Sequence, residues 1–131
     1  MSSGYGIPWL VLCGALAIHV VDEAVTDFLS VYNPTVRAIR ARFPFLPLPI
    51  FTFRVWLGAL IAVTLFLFSL APAAFRGAPG LRPAAYVFGI VMAGNGLLHL
   101  VASVYQKKPM PGVYSAPIIL AAAGYLLVSI R

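Results

Sequence analysis

Residues 7–32 read IPWLVLCGALAIHVVDEAVTDFLSVY. The run is long and apolar enough for a transmembrane helix, which needs roughly 20 residues. Yet its second half carries His19, Asp22, Glu23 and Asp27. These are the only three acids in the chain and one of its two histidines; the other is His99. An ionisable side chain inside a membrane span is costly and by default marks a functional site. The spacing makes the placement specific. At about 100° per residue, His19, Asp22, Glu23, Thr26, Asp27 and Ser30 fall within one arc of roughly 140°. Lipid cannot satisfy such a face, so it must turn inward.

A partner for that face lies further along. Asn95, His99, Ser103 and Gln106 share one stripe of a second apolar run at residues 83–106, where Pro83 suits a first helical turn. Two more spans complete the pattern, at 49–75 with Pro72 near its exit and at 113–130. In the last of these, the small residues Ala121, Ala122, Ala123 and Gly124 would permit close packing. The expectation is an all-α polytopic membrane protein, a four-transmembrane-helix bundle forming one domain over 1–131. The first span is expected to stop at Asn33-Pro34. Because the opening MSSGYGIPWL lacks a basic n-region, that span is expected to be retained and not cleaved as a signal. Spans one and three run in the same direction, so their polar stripes could meet, with Glu23 about as deep as His99 and His19 about as deep as Asn95.

Composition agrees. Of 131 residues, 62% are hydrophobic and 9% charged, against roughly 25% charged in soluble domains. The net charge of +6 comes from Lys and Arg in connections and near span ends, with no basic, aromatic-interleaved face, which excludes nucleic acid as an expected partner. The segment between the first two spans sets Val36, Ile39 and Phe43 against Arg37, Arg40 and Arg42. It reads as a short amphipathic turn at the interface, or simply as a basic loop. With Lys107, Lys108 and nearby Arg54 it outweighs Arg76, Arg82 and Arg131, which places both termini outside. Trp9, Phe53 and Trp56 are expected in the interfacial belt, and Tyr125 in packing. Asp27 could pair with Arg54. Cys13, the only cysteine, permits no internal disulfide and is expected to be an inert core thiol.

Three kinds of chemistry fit the cluster. His19, Asp22, Glu23 and His99 could form a shell for a divalent metal such as zinc, iron or manganese. His19, Glu23, His99 and Asn95 could instead perform acid/base catalysis without a metal, Asn95 orienting the reacting group. Or the paired polar groups could simply join two helices. No nucleophile motif, phosphate-binding loop or CxxC pair occurs, which disfavours a covalent serine or cysteine mechanism.

At these residues the chain resembles the HXXEE-domain family of small bacterial membrane proteins. It carries His19-Val20-Val21-Asp22-Glu23, then Asn95 and His99 in the third span and Pro111-Gly112 before the last. Asp22 stands where the motif name has Glu. The resemblance implies the helical fold, the polar site and a bacterial inner membrane, but no reaction. A weaker likeness is to emopamil-binding-like proteins, which include sterol isomerases and also place His, Glu and Asn within a small bundle. The expected function is an intramembrane enzyme acting on a lipid or isoprenoid-like apolar substrate, with membrane lipids as its surroundings. The alternatives are a proton or small-cation transporter or channel subunit, which four spans could build only as a homo-oligomer, or a structural partner in a membrane complex.

Overall fold

The computed structural model describes residues 4–131. It is all-helical, with no strand among the described residues. The helices are α1 (Gly6–Val25), α2 (Leu29–Arg42), α3 (Phe53–Ser69), α4 (Ala71–Phe75), α5 (Arg82–Gln106) and α6 (Ala116–Ser129), with a 3-10 turn at Pro79–Leu81. Three segments, Gly6–Val25, Phe53–Phe75 and Pro79–Gln106, are long and apolar enough to cross a membrane. α6 is apolar but has 14 residues, about 21 Å at 1.5 Å per residue.

Exposure explains why these helices suit lipid. Val55, Ile61, Val63, Leu65 and Phe66 on α3 and Val87, Ile90, Val91 and Leu98 on α5 all face outward. A soluble monomer rarely presents continuous apolar faces of this kind, whereas hydrocarbon requires them. α3 buries only Trp56 and Thr64. The core lies instead between α1, α6 and α5, with Trp9, Leu12, Cys13, Ile119, Ala123 and Leu126 fully enclosed. α6 packs between α1 and α5, which touch each other over only a short stretch.

The close approach of α5 to α6 depends on glycines of α5. A Cβ on Gly96 would lie 2.9 Å from the Ala116 carbonyl oxygen, and one on Gly89 would lie 2.7 Å from the Leu127 side chain. Gly94 and Gly124 face open space. The small patch of α6 contributes Ala122 and Ala123 to the core, but its glycine is not the contact.

The first span ends earlier than Asn33-Pro34. α1 closes at Val25 with a left-handed residue, Asp27 (φ 61°), and the Phe28 N–H donates to the Glu23 carbonyl at 3.0 Å. This is the hydrogen bond of a Schellman cap. Asp replaces the usual glycine there, being one of the few side chains that tolerate positive φ, so the break has no glycine signal. α2 then runs on through Pro34. The proline lies near the helix start and costs it a single backbone bond, so the helix survives. α2 is held to the following return by Asn33, whose Nδ2 donates to the Phe51 carbonyl (2.8 Å) and whose Oδ1 accepts from the Phe51 N–H (3.1 Å). Arg37, Arg40 and Arg42 are exposed while Val36 is buried.

Three local expectations change. Trp9 is fully buried and donates its Nε1–H to the Leu67 carbonyl at 2.8 Å, tying α1 to α3. Trp56 is buried too, stacked on Phe28 with ring centroids 5.9 Å apart. Asp27 is exposed, and the ion pairs among the described residues do not include one to Arg54. At the end of the bundle where the chain enters α1, Arg82 donates twice to the Ile130 carbonyl (2.9 and 2.7 Å), anchoring the last turn of α6.

Candidate functional site

Where α1 and α5 do meet, their polar residues converge. His19 and Glu23 lie one turn apart on α1, and His99 faces them from α5. All three are buried, at 1%, 6% and 3% exposure. His19 Nε2 lies 3.3 Å and His99 Nε2 3.0 Å from the same carboxylate oxygen, Glu23 Oε1. The imidazoles meet edge to face, centroids 4.8 Å apart. Phe28, just past the α1 cap, covers the His99 ring at 5.7 Å. The cap that ends α1 therefore holds the Glu23 carbonyl while the two rings flank its carboxylate.

The connection between α5 and α6 closes over this trio. α5 stops at Lys107, a left-handed residue (φ 54°). Ser103 Oγ then accepts from the Met110 N–H at 2.9 Å, and Thr26 Oγ1 accepts from the Gly112 N–H at 3.0 Å. Gly112 has φ 86°, and a Cβ there would lie 2.7 Å from His99 Cε1 and 2.8 Å from Glu23 Cγ. Only glycine lets the backbone rest directly on the cluster.

Ser115, at the start of α6, completes the arrangement. Its N–H and Oγ–H both donate to Asp22 Oδ2, at 2.8 and 2.7 Å. Its Oγ is also 2.7 Å from His19 Nδ1. Asp22 thus does not join the other proposed ligands directly but reaches them through Ser115 and His19. Asp22, standing where the motif name has Glu, thus meets Ser115. Asn95 makes no side-chain hydrogen bond among the described residues and is only partly buried, so its expected orienting role has no contact behind it here. Tyr125 is half exposed. Sequence reasoning missed Ser115 altogether. The available signal was its place just ahead of Ala116-Pro117, where a helix opens.

Chemically, the trio can hold a metal. His19, Glu23 and His99 offer ligand atoms that all lie within 4.8 Å of one another. Buried polar atoms are normally paired, yet His19 Nε2 and His99 Nδ1 have no hydrogen-bond partner among the described residues. Two imidazoles and one carboxylate are a donor set that suits zinc and other borderline divalent ions, and three protein ligands leave a position for water or substrate. The same atoms could pass a proton between imidazole and carboxylate.

A family model described as a protein of unknown function with an HXXEE motif matches residues 9–126. No curated protein and no solved structure matches the chain.

Proposed function

The chain belongs to the HXXEE-motif family, and we propose that it is an intramembrane enzyme in which His19, Glu23 and His99 hold a divalent metal ion. The observation that carries this reading is the convergence of two imidazole Nε2 atoms on one carboxylate oxygen, all three side chains being buried. If the role were only to join helices, one histidine–carboxylate pair would suffice. Zinc, iron or manganese at this position would supply Lewis-acid activation of a water or a substrate oxygen. The protein's part would be to fix three donors, exclude bulk water through the 107–115 connection, and leave Glu23 able to accept or return a proton. All three donors come from one chain, so no second copy is needed to complete the set.

The substrate we propose is apolar and lipid- or isoprenoid-like. Apolar grooves flank α1 on two sides, one of about 730 Å³ against α6, including Val11, Ile18 and Ala121. The other, of about 430 Å³, lies against α3 and includes Val21, Leu57 and Phe68. In this reading α6 serves as the fourth crossing, extended by the 111–115 turns, and the protein sits in a bacterial inner membrane. One observation weighs against the transport alternative. From His19 toward the start of α1 the buried face of that helix is Leu16, Cys13, Leu12 and Trp9, which gives an ion or proton no polar group on α1 to follow.

The test is elemental analysis of protein purified in detergent without a metal-affinity step, comparing wild type with His99→Ala. Near-stoichiometric zinc, iron or manganese in wild type and its loss in the variant is the expected result. A metal-free wild-type protein that fails to take up any of the three ions would sink the metal centre.

A further inference from the structure

The position of Ser115 between Asp22 and His19 has a consequence for which nitrogen of His19 is free. Ser115 Oγ carries one proton. Asp22 Oδ2 accepts from the Ser115 N–H as well as from Oγ–H, at 2.8 and 2.7 Å. A carboxylate only accepts, so the hydroxyl proton is committed to Asp22. The alternative acceptor, the Gly112 carbonyl, is farther, at 3.3 Å. With its proton committed, Ser115 Oγ can only accept from His19 at 2.7 Å, and His19 must therefore carry a proton on Nδ1. In a neutral ring Nε2 is then left with its lone pair, 3.3 Å from Glu23 and without a hydrogen-bond partner among the described residues.

We infer that Asp22 and Ser115 are positioning residues that lock His19 in the Nδ1–H tautomer, so that its Nε2 lone pair faces the His99–Glu23 pair as a ready ligand. The consequence for metal binding rests on the metal-centre reading; the tautomer itself does not. Partners of this kind, hydrogen-bonded behind a ligating histidine, fix its ring and raise its basicity, and their loss costs about 10–100-fold in metal affinity. The arrangement also gives Asp22 a role in the motif other than that of a direct ligand. Ser115 sits beside an imidazole as a nucleophile would, but its proton points at Asp22 and the residue is buried, at 3% exposure.

The experiment uses full-length protein labelled with ring-15N histidine, stripped of metal, in detergent micelles. A nitrogen bearing a lone pair resonates well apart from one bearing a proton, and His99→Ala assigns the His19 signals. Wild type is expected to show Nδ1 protonated and Nε2 bare. Ser115→Ala and Asp22→Ala should each give a mixed or reversed tautomer and bind zinc about 10–100-fold more weakly. Asp22→Ala removes the acceptor but keeps the Ser115 hydroxyl, so it remains informative if Ser115→Ala folds poorly. A proton on Nε2 of wild type, in a neutral ring or an imidazolium, overturns the inference, as do variants that change neither tautomer nor affinity. Covalent capture of Ser115 by a fluorophosphonate probe also overturns it, because the hydroxyl would then be a nucleophile. The expected tautomer in a protein that binds no metal supports the lock and sinks only the metal centre.

Discussion

Gly112 is the residue at which the site is most sensitive to a single atom. Its φ of 86° and the 2.7–2.8 Å approach of a would-be Cβ to His99 and Glu23 act together. Left-handed backbone at a non-glycine residue costs on the order of 1–3 kcal/mol, and the added methyl must also push the 111–115 turns off the cluster. Gly112→Ala is therefore expected to lower stability by at least that amount in detergent unfolding and to weaken zinc binding. Gly94→Ala is the control. It has open space around it in a helix and should be neutral or stabilising by up to about 1 kcal/mol. Equal losses in the two variants would show that Gly112 has no special contact with the site. At Glu23, exchange to Gln keeps the volume but replaces an anionic oxygen with a neutral amide. The expected result is a folded bundle that no longer retains metal, read by circular dichroism and elemental analysis of one sample. Unfolding of both Glu23→Gln and His99→Ala would favour structural pairing. His19, Glu23 and His99 were legible from their sequence because each is an ionisable side chain where lipid forbids one, and helical spacing alone aligns them. Ser115 was not, since serine is ordinary in a connection, and Gly112 stood out only as part of the Pro111-Gly112 pair that carries the family resemblance. Their importance comes from a chain reversal that no local pattern encodes.

Among the elements, α5 starts at Arg82, beside the Pro83 that suits a first turn, while the second apolar run starts later than Pro49 and is divided, α3 closing at Ser69 and α4 carrying the chain on to Phe75. α1 and α2 depart from expectation for one reason. The chain breaks at Asp27, through a left-handed aspartate in place of a glycine, and once broken there it can carry Pro34 early in the next helix. The break keeps Glu23 in the final turn of α1 and brings Phe28 onto His99 and Trp56. α2 is fastened chiefly by Asn33, whose amide reproduces a backbone pairing with Phe51. Asn33→Leu removes both bonds and leaves the Phe51 N–H and C=O without them, a loss of about 1–3 kcal/mol. The expected outcome is faster proteolysis within residues 44–52 while metal content stays unchanged, since Asn33 does not touch the cluster. Loss of metal with intact protease resistance would place Asn33 in the site and contradict that separation.

At the scale of the whole molecule, the cluster lies toward the end of the bundle at which α1 and α5 finish and α3 and α6 start. The basic residues gather at the same end. Arg37, Arg40, Arg42, Arg54, Lys107 and Lys108 lie there, whereas the other end has Arg76, Arg82 and Arg131, and Arg82 is engaged by the Ile130 carbonyl. Lys and Arg in short loops are retained on the cytoplasmic side, so the site should open toward the cytoplasmic leaflet with both termini outside. Exposed basic side chains on α2 would also lie against anionic headgroups there. Single cysteines at Gly80 and Ala41, in a Cys13→Ala background, test the orientation. Both positions are exposed, and Cys13 is buried, so its removal leaves each introduced thiol as the sole target. A membrane-impermeant maleimide should label the residue-80 cysteine in intact cells with an opened outer membrane and the residue-41 cysteine only after lysis. The reverse pattern would turn the cluster to the outer face and make the outer leaflet the source of its apolar substrate. Labelling of both in intact cells would mean that the chain inserts in two orientations, and the charge difference between its ends would then be too small to decide the matter.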